Sequence, residues 1–145
     1  MKKIVVVDID GTVSKVGERL KYLKSKKPNW DKFYDSCFED EPIQEVIDLV
    51  KVLEKNYDIV YCTGRRESVR AITHNWLINR GLVVDKLLMR PNEDKRHDTE
   101  VKPEQLSNAG ILLQEIAFVL EDRDTMVAKW RGLGLRCLQV DYGDF

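Results

Sequence analysis

Asp8-Ile9-Asp10-Gly11-Thr12 sets two carboxylates two positions apart, followed by a glycine and a hydroxyl. The run before it, Ile4-Val5-Val6-Val7, has the unbroken apolar character of a buried strand, so both carboxylates stand at a strand end. Like charges this close repel unless a cation or a shared proton relieves them. A divalent metal is the simplest relief, and a metal beside a spare carboxylate outlines a phosphoryl-transfer site. Asp8 can then act as nucleophile, giving an aspartyl-phosphate. Asp10 lies on the same side of the chain. It can protonate the leaving oxygen and later activate water, work that typically contributes ~10²–10⁴-fold.

Further residues supply what such a reaction needs. Asp122 is the natural third contact of the metal. Lys102, at the start of a helix, offers a point charge and a helix N-terminus to a phosphate. Thr63 offers a hydroxyl and a backbone donor before Gly64. Magnesium suits oxygen-only ligands, and no His or Cys is placed to prefer zinc.

The elements that must position these residues alternate. Strands are expected over 3–8, 58–62, 87–89, 117–120 and 136–140. Helices are expected from Pro42, from about Glu67 to near Gly81, with Pro103 in a first turn where its missing donor is harmless, and over 125–133. Such alternation predicts an α/β protein with a doubly wound parallel sheet covered on both faces. Ligands of these sheets sit at the carboxyl ends of the strands, near the point where strand order reverses. Polar residues do cluster there: Asp8, then Thr63-Gly64-Arg65, then Arg90, then Glu121-Asp122-Arg123.

The 145 residues are 43% hydrophobic and 34% charged, which is one ordinary globular domain, expected over 1–145. The net charge of -1 gives no global basic signal for nucleic acid, so any such binding needs a local patch. Cys37, Cys62 and Cys137 show neither a CxxC nor a zinc spacing and read as free thiols of a reducing, cytoplasmic compartment. The apolar run after Met1-Lys2-Lys3 is too short for a signal peptide, and no run approaches a membrane span.

The DxDGT run, the Thr63 step, Lys102 and the Glu121-Asp122 pair, in this order, resemble the four motifs of the haloacid dehalogenase superfamily of phosphatases. The resemblance implies a Rossmann-like fold, magnesium and an aspartyl-phosphate. It covers nearly the whole chain. The tail, from Glu121-Asp122-Arg123 through Met126-Val127-Ala128-Lys129-Trp130-Arg131 to Gly143-Asp144-Phe145, is similar to the end of the 3'-phosphatase domain of phage-type polynucleotide kinase/phosphatase. Arg19, Arg65, Arg90 and Asp98 match that family in spacing. By this resemblance the metal set falls on Asp8, Asp10, Glu121 and Asp122, and substrate contacts on Arg19, Gly64, Arg65, Arg90, Asp98 and Arg123. Asp98 or Thr99 has a second reading, as a helix cap. The family's usual Asp-Asp pair is here Glu121-Asp122, and no GxxxxGK[ST] loop occurs, so 5'-kinase activity is not expected from this chain.

Residues 13–42 read as a small helical insert after strand one, too short for a full cap domain. Trp30, Phe33, Tyr34, Cys37 and Phe38 recur at helical spacing, with Asn29 a plausible cap; the stripe is expected to pack on the domain rather than stack bases. Lys21, Lys24, Lys26, Lys27 and Lys32 form a basic segment, either a solvated face or a nucleic-acid contact. The expected function is magnesium-dependent hydrolysis of 3'-phosphates on nucleic-acid ends. A nucleotidase on free nucleotides is the alternative, and a silent binding module the rival of another class. Homo-oligomerisation and a separate kinase or ligase stand as open partners.

Overall fold

The computed structural model describes residues 2–145. Five strands form one parallel sheet: β1 (Ile4–Val7), β2 (Asp58–Arg66), β3 (Lys86–Arg90), β4 (Ile116–Glu121) and β5 (Cys137–Gln139). Their order is β3-β2-β1-β4-β5, so the chain winds outward one way through β2 and β3, then returns past β1 to β4. The strand order therefore reverses at β1, whose carboxyl end carries Asp8. Alternate residues of β1 serve opposite faces, as strand pleating requires. Val5 and Val7 join one core cluster, and Ile4 and Val6 the other. The first cluster is closed by α2 (Gln44–Leu53) and α3 (Arg70–Asn79), the second by α4 (Asp98–Asn108) and α5 (Asp124–Gly132). This is the expected Rossmann-like, doubly wound α/β fold. Among the described residues, no helix is long and apolar enough to cross a membrane.

Between β1 and α2 lie a 3-10 segment (Gly17–Leu23), the six-residue α1 (Trp30–Asp35) and a second 3-10 turn (Ser36–Glu39). Asn29 caps α1, its side chain accepting from the Lys32 amide at 3.1 Å. The aromatic stripe divides. Phe33, Tyr34 and Cys37 are buried in the first cluster, whereas Trp30 and Phe38 remain exposed. All three cysteines are buried free thiols.

Two element boundaries differ from expectation in ways that matter. β2 does not stop at Thr63-Gly64 but runs to Arg66. Its pairing with β3 steps from Cys62↔Leu88 to Arg66↔Arg90, so four residues of β2 span two of β3. The surplus bulges Thr63, Gly64 and Arg65 out of the ladder at the sheet's carboxyl end. Pro103 is not in the first turn of its helix: α4 begins at Asp98, and Pro103 lies inside it. The helix survives because its first turn is held independently. His97 Nδ1 accepts from the Thr99 amide at 3.2 Å. Neither Asp98 nor Thr99 is the cap, which frees the Asp98 carboxylate for other partners.

Candidate active site

β1 delivers Asp8 into the site, and sheet register sets its neighbours. Val7 pairs with Leu120, and the Asp8 amide donates to the Leu120 carbonyl at 3.0 Å, so Glu121 and Asp122 follow alongside. Each Asp8 oxygen has a partner. Lys102 Nζ donates to Oδ1 at 2.8 Å, and Thr12 Oγ1 donates to Oδ2 at 3.0 Å. Lys102 comes from the second turn of α4, is buried, and also donates to Glu121 Oε1 at 2.9 Å. Burial works against its charge, but Asp8 and Glu121 outweigh that and hold the ammonium well above its ordinary value.

Asp8, Glu121 and Asp122 place carboxylate oxygens within 4.8 Å of one another, all three buried. Burial, then the adjacent Asp8 charge, raises the carboxyl pKa of both Glu121 and Asp122. Three buried carboxylates around one ammonium leave a deficit of positive charge that a divalent cation matches, and the donors are all oxygen. Gly11, in the left-handed region at φ 84°, lets the backbone pass close by; a Cβ there would collide with the Asp122 carboxylate.

Asp10, expected among the metal ligands, is not brought to this cluster by its carboxylate. It turns instead to two arginines, each donating from Nη2 to Oδ1 at 2.7 Å: Arg19 and Arg65. Burial raises its pKa, but the two guanidinium groups prevail and hold the carboxyl well below the usual range. The arginines are themselves fixed from behind. Asp40 accepts from Arg19 Nε and Nη2, both at 2.7 Å, from Arg65 Nη2 at 3.2 Å and from Ser14 Oγ at 2.6 Å. Arg65 Nη1 further donates to Thr73 Oγ1 at 3.0 Å.

The other expected residues occupy the cleft wall. Thr63 is buried; its Oγ1 accepts from the Arg65 amide at 3.1 Å, and its carbonyl accepts from Gln105 at 3.2 Å. Arg90 donates to the Gly64 carbonyl at 2.9 Å and also binds Asp98. Asp98 accepts in addition from Arg123 at 3.2 Å. A Cβ on Gly64 would meet the Asp98 carboxylate, so a side chain there would push Asp98 off Arg90 and Arg123. Thus Arg65 serves Asp10, whereas Arg90 and Arg123 converge on Asp98.

Sequence reasoning missed Asp40, Ser14 and Gln105. Asp40 stands in the acidic run Glu39-Asp40-Glu41, which offsets the basic segment before it. The available signal was phase: Asp40 falls seven residues after Phe33 and three after Cys37, on the inward side of the stripe. His97 is the α4 cap.

Asp8, Asp10, Thr63, Lys102, Glu121 and Asp122 line a cleft of about 1230 Å³. Its rim includes Lys24, Lys27, Trp30, Arg66, Lys95 and Arg96. That exceeds the ~300–1,000 Å³ of an ordinary small-molecule pocket.

The chain matches known proteins over its length. The family model of the polynucleotide kinase PNKP phosphatase domain covers residues 2–145. A chain of the Pnkp1/Rnl/Hen1 complex is 30% identical, with a TM-score of 0.83, and the match covers 100% of this chain and 47% of that one. A chain of the Pnkp1/Rnl/Hen1 RNA repair complex gives 30% identity and a TM-score of 0.79, over 100% of this chain and 44% of that one. The chain therefore spans less than half the length of these two relatives. A haloacid dehalogenase-like hydrolase from Streptococcus pneumoniae, 16% identical, shares the fold with a TM-score of 0.67 over 95% of this chain and 84% of that one.

Proposed function

The chain belongs to the family of polynucleotide kinase PNKP phosphatase domains, and on that premise we propose that it removes terminal 3'-phosphates from nucleic-acid ends, with magnesium, through an aspartyl-phosphate on Asp8. It is a haloacid dehalogenase-type phosphomonoester hydrolase. The carrying observation is Asp8 itself, buried at the floor of an open cleft with Lys102 on one oxygen and Thr12 on the other.

Asp8 attacks phosphorus, and the bond to the ester oxygen breaks as the Asp8–phosphorus bond forms. Asp10, ionised at rest, takes the proton that a phosphate monoanion brings and passes it to the departing oxygen. It then takes one from the water that attacks the same phosphorus, returning Asp8 as a carboxylate and releasing phosphate. Arg19 and Arg65 aim Asp10 and favour its ionised form, the one the second half needs. Lys102 orients Asp8 and offsets the charge building on the phosphoryl oxygens. Glu121 fixes Lys102, and Thr63 with the bulged backbone at Gly64 forms the wall facing the phosphate. Magnesium, held by Asp8 and Asp122 with Glu121 beside them, would neutralise the approaching phosphate and supply Lewis-acid stabilisation. Arg90, Asp98 and Arg123 form a linked group on the wall, suited to the strand that carries the phosphate. A separate ligase or kinase would use the 3'-hydroxyl produced.

The size of the cleft favours a polymer end over a free nucleotide. The test is phosphate release from matched 3'- and 5'-phosphorylated oligonucleotides and nucleoside 3'-phosphates, with magnesium and with a chelator. Release from the 3'-phosphorylated oligonucleotide alone, dependent on magnesium, is the expected result. Preference for the free nucleotide would assign a nucleotidase.

A further inference from the structure

We infer that Trp30 is a stacking platform for a base of the strand lying upstream of the terminal phosphate, an inference that rests on the 3'-phosphatase reading and specifies how that site holds a polymer.

The indole opens α1 and is 44% exposed, whereas Trp76 and Trp130 are 4% and 1% exposed. An aromatic left this open on a stripe whose next members, Phe33 and Tyr34, are buried is not completing the core. It faces the cleft that holds Asp8. The ring is also held in place. It stacks on Tyr34 with centroids 5.9 Å apart and planes inclined by 26°, and meets Phe33 edge-on at 5.6 Å. Those two rings are fixed in turn. The Tyr34 hydroxyl donates to the Gly64 carbonyl at 3.3 Å. The Phe33 carbonyl accepts from Arg19, the residue that aims Asp10, at 2.9 Å. A rigid, half-exposed indole loses little side-chain freedom when a flat partner docks.

The surroundings select that partner. Lys24 and Lys27 are exposed on the same rim and make no ion pair among the described residues, which suits a phosphodiester backbone passing the indole. Aromatic faces with unpaired cations along a groove are how sequence-tolerant single-strand binding is built.

The test pairs Trp30→Ala and Trp30→Phe with two 3'-phosphorylated hexanucleotides, one with all its bases and one with its upstream positions abasic. Trp30→Ala should lower kcat/KM on the first substrate roughly 10- to 100-fold and on the second by no more than about 2-fold, with Trp30→Phe recovering most of the loss. In a second measurement, the Asp8→Asn protein should lose indole fluorescence on binding the full hexanucleotide, and Asp8→Asn with Trp30→Phe should not. An equal loss on both substrates, or no loss on the first, overturns the inference. If the unaltered protein releases phosphate from neither hexanucleotide, the 3'-phosphatase reading itself has failed and the stacking role falls with it.

Discussion

Arg19 and Asp40 form a two-point buried pair, Nε to Oδ1 and Nη2 to Oδ2, both at 2.7 Å. The same Nη2 reaches on to Asp10 at 2.7 Å. Asp40 never touches the Asp8 cluster, yet it fixes the direction in which the proposed proton carrier points. Asp40→Asn puts an amide donor against a guanidinium or leaves one unpaired. The expected fall in kcat is roughly 100-fold or more, because misaiming Asp10 forfeits most of its ~10²–10⁴-fold contribution. Steady-state kinetics on a 3'-phosphorylated oligonucleotide would show the loss in kcat rather than in KM.

Magnesium should stabilise the protein as well as activate it. The folded chain presents Asp8, Glu121 and Asp122 together, and the unfolded chain does not, so binding adds stability by mass action. At a hundredfold excess over Kd the gain is about 2.7 kcal/mol. Thermal unfolding in magnesium and in chelator measures it. Asp122→Asn should abolish most of the shift, a readout independent of turnover.

Gly11→Ala should cost both activity and stability. The residue sits at positive φ, and its Cβ has nowhere to go but into the Asp122 carboxylate. Strain of this kind costs about 1–3 kcal/mol. Urea unfolding gives the stability loss, and the magnesium-induced thermal shift should shrink with it.

Acid sensitivity should report on Asp98. Burial raises its pKa, but Lys102, Arg123 and Arg90 together bring it below 3.8. A carboxyl depressed in the folded state stabilises fully above its unfolded value and loses that stabilisation as pH falls through the folded one. The stability gap between the unaltered protein and Asp98→Asn should therefore be about 1.5–3 kcal/mol near pH 6. It should close as the pH drops below about 3.8. Urea unfolding at a series of pH values checks both the size and the direction.

The strands and the order of the motifs were legible because they are local. Four apolar residues ending in Asp-x-Asp-Gly-Thr announce a strand and a turn whatever surrounds them. The fate of Asp10 was not legible. A carboxylate two residues from Asp8 looks like a shared metal ligand until the arginines at 19 and 65 arrive from an insert and a bulge. That bulge was hidden for the same reason: Thr63-Gly64 reads as a strand stop, and only the pairing of Arg66 with Arg90 shows that the strand resumes. Asp40 was camouflaged by charge, since its neighbours Glu39 and Glu41 are exposed while it is buried. Pro103 misled through propensity. A proline inside a helix is disfavoured, but the ties of Lys102 and Gln105 to Asp8 and Thr63 hold α4 across it.

The central claim is that Asp8 forms the bond to phosphorus. The direct test is single-turnover phosphate release from a 3'-phosphorylated oligonucleotide in magnesium, comparing the unaltered protein with Asp8→Asn. An amide in that position keeps the shape of the site but removes the nucleophile, so release should fall by at least roughly 10³-fold, with folding and oligonucleotide binding preserved. Release that persists at a comparable rate in Asp8→Asn would contradict the account.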